Sequence, residues 1–161
     1  KIIVCNVDEK SLTNGNKYSD LCKKKFSTEK VIIVCADIED QIMNLQLEDR
    51  KDFMSDSGIK STGLDNLIQA GYSALGLNTF FTSGPEESRA WTVEKNSNAA
   101  QAAGVIHTDF EKKFIRAETV SITDFIEYKG FNECKVAGKL RLEGKDYIVN
   151  DGDVMFFRTG A

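Results

Sequence analysis

The chain has 161 residues, 41% hydrophobic and 29% charged, enough to build a core as one ordinary domain or two small ones. A formal charge of −4 at pH 7 argues against a purely electrostatic nucleic-acid binder, and no apolar run approaches the roughly 18 residues of a membrane-crossing helix. The four cysteines, at 5, 22, 35 and 134, lack C-x-x-C spacing, and the single histidine, His107, leaves no Ser-His-Asp triad, so neither a zinc centre nor a triad hydrolase is expected.

The chain opens on Lys1 rather than Met, from which an upstream start or a processed terminus is expected. With no secretory signal in view, free thiols in a reducing cytoplasm are expected as well. KIIVCN reads as an apolar, β-branched strand, and in NKYSDLCKKKF the residues Tyr18, Leu21, Cys22 and Phe26 fall on one helical face. EKVIIVCAD is a second apolar strand, so residues 1 to about 45 predict a βαβ unit with parallel strands buried on both faces. Residues 38 to 76 read as helical, with Asp37 capping DIEDQIMNL and a Thr62-x-x-Asp65 capping box ahead of LDNLIQAGYSALGL. There Leu64, Leu67, Ile68, Gly71, Tyr72 and Leu75 form an apolar stripe, expected to be packing surface.

After Leu77 the texture changes. NTFFTSGPEESRAWTVE predicts a hairpin around Gly84-Pro85, with Trp91 in the core. NAAQAAGVI and a T-x-x-E box, Thr108 to Glu111, predict helical turns; FIRAETVSI a strand; ECKVAGKLRL a helix; and KDYIVNDGDVMFFRT a closing hairpin around Asp151-Gly152. Strands and helices in this mixed order fit a small α+β domain, and the boundary is placed near residue 77, giving segments 1–77 and 78–161.

The first strand runs into Asn6-Val7-Asp8-Glu9. In P-loop folds of the GTPase type, N-K-x-D at the carboxyl edge of the sheet reads the base: its Asn braces the loop and its Asp accepts from the guanine ring N–H and amino group. Here Val7 replaces the Lys and Glu9, one methylene longer, replaces the Asp. Adenine offers neither guanine donor, so a changed carboxylate changes which base fits. The second strand ends in Cys35-Ala36-Asp37, where such folds place a short loop whose backbone also touches the base. The phosphate loop G-x-x-x-x-G-K-[ST] does not occur: Gly138-Lys139 and Gly144-Lys145 lack the earlier Gly, and Leu140 and Asp146 stand where Ser or Thr would ligate Mg²⁺. The base-reading half of a nucleotide site is therefore present without the phosphoryl-transfer half.

Asn6-Val7-Asp8-Glu9, ALGLNTFFTSGPEESRAWTVEK, AAQAAGVIHTDFEKKFIRAE and AGKLRLEGKDYIVNDGDVMFF together resemble the C-terminal part of the YchF-type, Obg-like ATPases. The resemblance spans the chain. It implies an α/β fragment, the last βαβ part of a P-loop GTPase-like sheet in 1–77, followed by an α+β β-grasp (TGS) domain in 78–161. It also implies ATP preferred over GTP, a cytoplasmic location and association with ribosomes. Mg²⁺ would belong to the longer protein only, with ligands outside this chain, and the chain alone would be inactive as an ATPase. By position, Asn6, Val7 and Glu9 would surround the adenine, with Cys35 and Ala36 on its other side. One departure is visible: the family usually reads E-K-G-F where this chain has Glu111-Lys112-Lys113-Phe114, and a Gly at positive φ would leave Lys113 strained there.

Lys112, Lys113 and Arg116, interleaved with Phe110 and Phe114, form a candidate RNA or partner surface. Against strong general RNA affinity stand 11 basic and 13 acidic residues over 78–161. His107 reads as structural. An alternative reading takes the chain as a non-catalytic TGS module docking on ribosome, RNA or protein. In either reading KIIVCN would lack a neighbour on one side, so self-association through that strand, or disorder of roughly the first 35 residues, is expected.

Overall fold

The computed structural model describes residues 1–160. They form two compact units, Lys1–Leu75 and Gly76 onward, each described by itself.

In the first unit, β1 (Ile2–Asn6) pairs in parallel with β2 (Lys30–Val34), register Asn6 to Val34. The crossover holds a 3-10 turn (Glu9–Ser11) and α1 (Lys17–Lys25). Asn16 caps α1, its side-chain oxygen accepting from the Ser19 N–H at 3.1 Å while the Ser19 hydroxyl accepts from the Asn16 N–H at 2.8 Å. The helix turns a different face inward from the expected one. Ser19 is buried and Cys22 and Phe26 half-buried, whereas Tyr18 and Leu21 are exposed. Nor are the strands buried on both faces: Val4 is 45% exposed in this two-stranded sheet.

Three helices follow: α2 (Ala36–Asn44), α3 (Leu47–Asp56) and α4 (Gly63–Leu75). Ile38 and Ile42 of α2 form a small core with Cys35, against which Leu12, Phe53, Met54 and Ile59 pack. Cys35, not Asp37, is the residue before α2, and it makes no side-chain cap; Asp37 lies in the first turn, where a carboxylate meets the positive end of the helix dipole. At α4 the Thr62 hydroxyl accepts from the Asp65 N–H at 3.0 Å, and the Glu39 carboxylate accepts from the first two amides, those of Gly63 and Leu64. The α4 stripe is packing surface only in part within this unit: Leu67 and Gly71 are half-buried. Leu64, Ile68, Tyr72 and Leu75 are exposed, Leu75 by 73%, because α4 meets β2 through its small residues: Gly63 stands against Val34, and Ala70 is buried.

The second unit holds a five-stranded sheet. β3 (Leu77–Ser83) and β4 (Ser88–Glu94) form the expected antiparallel hairpin. Then come α5 (Ala99–Ile106), α6 (Thr108–Lys112), β5 (Phe114–Ser121), α7 (Ile122–Tyr128), α8 (Phe131–Val136), β6 (Arg141–Glu143) and β7 (Asp153–Thr159). The strand order is β4-β3-β7-β5-β6, parallel only between β3 and β7. α5 lies on one face, and its buried alanines let it approach closely; Ala99 and Ala102 meet Phe80 (0% exposed), Val93, Ala117, Val149 and Met155. Half-buried Trp91 packs against that core, its indole N–H donating to the Thr82 hydroxyl at 2.9 Å.

Three expectations are corrected here. ECKVAGKLRL is not one helix: α8 ends at Val136, Gly138 turns left-handed at φ +70, and Arg141–Glu143 pair with β5. No closing hairpin forms around Asp151-Gly152; β7 inserts between β3 and β5, while Ile148 makes an isolated bridge to Asn98. His107, not Thr108, caps α6, its Nδ1 accepting from the Asp109 N–H at 3.2 Å. Lys113 has φ −99 and carries no left-handed strain.

Lys129, at the end of α7, does hold a left-handed backbone, φ 65 and ψ 27. Lys129→Gly is expected to raise stability by about 0.5–1 kcal/mol, because glycine adopts that conformation without a Cβ clash. A thermal melt checks the sign, and an unchanged or lower midpoint would contradict it.

Candidate functional site

The parallel register sets Asn6 beside Val34, so the loops leaving β1 and β2 emerge side by side at the carboxyl edge. The Val7 N–H donates to the Val34 carbonyl at 2.9 Å and extends the ladder by one rung. The Asn6 side-chain oxygen then accepts from the Ala36 N–H at 3.0 Å. This bond crosses 30 residues of sequence and ties one loop to the other.

Asp8 and Glu9 have different tasks. Asp8 caps the 3-10 turn, its carboxylate accepting from the Ser11 N–H at 3.0 Å. The Glu9 carboxylate takes no hydrogen bond among the described residues and is exposed, free to accept from a ligand. Cys35 is different again. Its side chain is buried among Ile38 and Ile42, so only its backbone can face a ligand beside the exposed Ala36. The structure thus brings Asn6, Val7, Glu9, Cys35 and Ala36 together at one edge. A groove of about 650 Å³ in this unit, lined by Leu12, Lys23, Lys30, Ile32, Asn66 and Ala70 among others, includes none of them.

Losing the bond between the loops is the direct test of what Asn6 does. Asn6→Ala is expected to cost about 0.5–1.5 kcal/mol, the range for one neutral hydrogen bond, and to shift the amides of Cys35 and Ala36 in a nitrogen–proton correlation spectrum. Unmoved Ala36 resonances would show that the bond does not hold the loop.

The cations of the second candidate surface are dispersed. Lys112 ends α6 and Lys113 follows it, both exposed. Arg116 lies on β5 opposite Arg158 of β7, which pairs with Glu118 at 3.0 Å and lies over the Phe156 ring at 4.4 Å. Phe114 packs against the core, while Phe110 sits at the surface near His107. Sequence reasoning missed Arg158 and Phe156, which only the β5–β7 register puts beside Arg116. Among the described residues no three His, Cys, Asp or Glu side chains converge to hold a metal, and no helix is long and apolar enough to cross a membrane.

The sequence and fold have known counterparts. The profile of the YchF-GTPase C-terminal family, described as "Protein of unknown function (DUF933)", matches residues 77–160. Over 157 residues the chain is 52% identical to the ribosome-binding ATPase YchF of Haemophilus ducreyi, covering 96% of this chain and 43% of that protein. It is 45% identical over 161 residues to the protein of the same name in Bacillus subtilis, covering 98% and 44%. The solved structure of the Schizosaccharomyces pombe YchF GTPase superposes with a TM-score of 0.79 at 35% identity, covering 98% of this chain and 43% of that one. The chain thus spans less than half the length of the relatives it matches. By these matches the chain belongs to the YchF-type, Obg-like ATPase family, and it corresponds to the C-terminal region of that family's proteins.

Proposed function

We propose that the two strand-end loops form the base-recognition part of an adenine-nucleotide site, and that the unit beginning at Gly76 is a TGS-type β-grasp module that docks on the ribosome. The observation that carries the first half is the Asn6–Ala36 hydrogen bond, a brace between two loops at the carboxyl edge of a parallel sheet, where open α/β folds bind ligands. Asn6 positions, Val7 and the Cys35–Ala36 backbone flank the ring, and the unengaged Glu9 carboxylate selects the base. The residues fit an adenine ring held by its edge, and ATP fits better than GTP. The phosphates and Mg²⁺ would be held by the rest of a longer ATPase, since this sequence has no phosphate loop.

Supporting the second half, the sheet order β4-β3-β7-β5-β6, with a parallel central pair and α5 across one face, is consistent with a β-grasp fold. The bacterial relatives' names, "Ribosome-binding ATPase", supply the partner, and a cytoplasmic location goes with it. Lys112, Lys113 and Arg116, joined by Arg158, would supply its contacts to ribosomal RNA or protein.

Calorimetry with ATP tests the division of labour. The chain by itself is expected to show no measurable heat, because base contacts alone leave affinity in the millimolar range. A micromolar Kd would overturn the claim that the phosphates are held elsewhere. Ribosome co-sedimentation of the same chain tests the docking module, and a failure to pellet would sink that half alone.

A further inference from the structure

One thiol lies on the strand that carries Asn6 and another on the helix that follows it. Cys5 is on β1 and lies beside Ile33 of β2 in the parallel register, so the two side chains share a sheet face. That face meets α1. A Cβ built on Gly15 would touch both Ile33 Cδ1, at 3.0 Å, and the Ser19 side chain, which sets the buried residue of α1 over Ile33. Cys22 follows Ser19 by three residues and therefore lies on the same helical face, one turn further on. Cys5 and Cys22 are both half-buried, unlike Cys35 and Cys134, which are buried. Partial burial pushes the Cys5 thiol pKa up, and its hydrogen bond to the neighbouring Cys22 sulfur, which the Cys5 S–H donates, adds to it, while Lys23 pulls it down.

We propose that Cys5 and Cys22 are a dithiol modification site that closes to a disulfide by exchange with small disulfides of the glutathione class. Cys22 precedes Lys23, Lys24 and Lys25, a positive cluster that draws an anionic oxidant, and it makes the first attack. Its thiolate bonds to one sulfur of the small disulfide, whose S–S bond breaks, and the released thiolate takes up a proton. Cys5, held protonated, is the resolving partner: it gives up its proton, its sulfur attacks the Cys22 sulfur, and the second small thiol leaves with that proton. One small disulfide and two protein thiols become one protein disulfide and two small thiols. Because Cys5 immediately precedes Asn6, the bridge would tie the strand bearing the Asn6–Ala36 bond to α1. The pairing does not depend on the loops binding a nucleotide.

The test incubates the 161-residue chain with glutathione disulfide, alkylates the remaining thiols, and maps the peptides by mass spectrometry. The expected result is one intramolecular Cys5–Cys22 cross-link, with Cys35 and Cys134 alkylated. Cys5→Ser is expected to trap glutathione on Cys22 at several-fold higher occupancy than in the unsubstituted chain, and Cys22→Ser to leave Cys5 mostly unmodified. Three results would overturn the proposal: all four thiols alkylated after oxidation, glutathione persisting on both Cys5 and Cys22, or a disulfide joining two copies through Cys5. The map of the unsubstituted chain decides the matter even if a variant fails to fold.

Discussion

Asp153→Ala is expected to destabilise the second unit by about 2–4 kcal/mol. Asp153 opens β7 and is only 3% exposed. Its carboxylate accepts from the Tyr147 hydroxyl at 2.7 Å, the Asn150 N–H at 2.9 Å and the Arg141 guanidinium at 3.2 Å. Burial, then the bond to Asp153, pushes the Tyr147 hydroxyl pKa up. Removing the carboxylate leaves the phenol and the amide as part-buried donors without an acceptor, and each unmet donor costs about 1–3 kcal/mol. Arg141, nearly half exposed, returns to water and adds little. Asp153→Asn retains one acceptor oxygen and is expected to lose about half as much. The single Trp91 lies in this unit, so urea unfolding followed by its fluorescence reads the loss as a lower midpoint at unchanged slope. An Asp153→Ala midpoint equal to that of the unsubstituted chain would show that the network does not hold β7 in place.

The second large effect is on base choice. Shortening the free carboxylate by one methylene, Glu9→Asp, is expected to move the adenosine-to-guanosine preference toward guanosine by about 10- to 100-fold. That range corresponds to gaining or losing one charge-assisted hydrogen bond of about 1.5–3 kcal/mol. Asp8 cannot substitute, because it is engaged in capping the turn before Ser11. Competition binding on this chain fused to the nucleotide-binding part of a YchF-type relative gives the ratio directly, and an unchanged ratio would remove Glu9 from base selection. The names of the relatives differ on this point, "ATPase" in the bacteria and "GTPase" in the yeast structure, which makes the ratio worth measuring.

What could be read from the sequence was local. The β3–β4 hairpin followed from two β-rich runs around Gly84-Pro85, and the β1–β2 pairing from two apolar runs separated by an amphipathic helix. Partnerships between distant segments were not legible. Asp151-Gly152 marks a turn correctly, with Gly152 at φ +84, but nothing local says that the strand after it will insert between β3 and β5. The segment after Ala137 continues an apolar spacing that fits a helix, and only Gly138 at φ +70 and the free edge of β5 make Arg141–Glu143 a strand. Amphipathicity showed that α4 has an apolar face but not which residues turn inward; Gly63 stands against Val34 and Ala70 is buried. At the site, residue types marked Asn6 and Glu9. The division of labour between Asp8 and Glu9, and the inward turn of Cys35, required the backbone geometry.

On the proposed reading the loops after β1 and β2 form one base-recognition edge. The most direct measurement is a nitrogen–proton correlation titration of the chain with millimolar adenosine and, separately, guanosine. Adenosine is expected to shift the amides of Val7, Asp8, Glu9, Cys35 and Ala36, and guanosine to shift them less. Adenosine shifts confined to the groove between β2 and α4, or a larger response to guanosine at these loops, would contradict it.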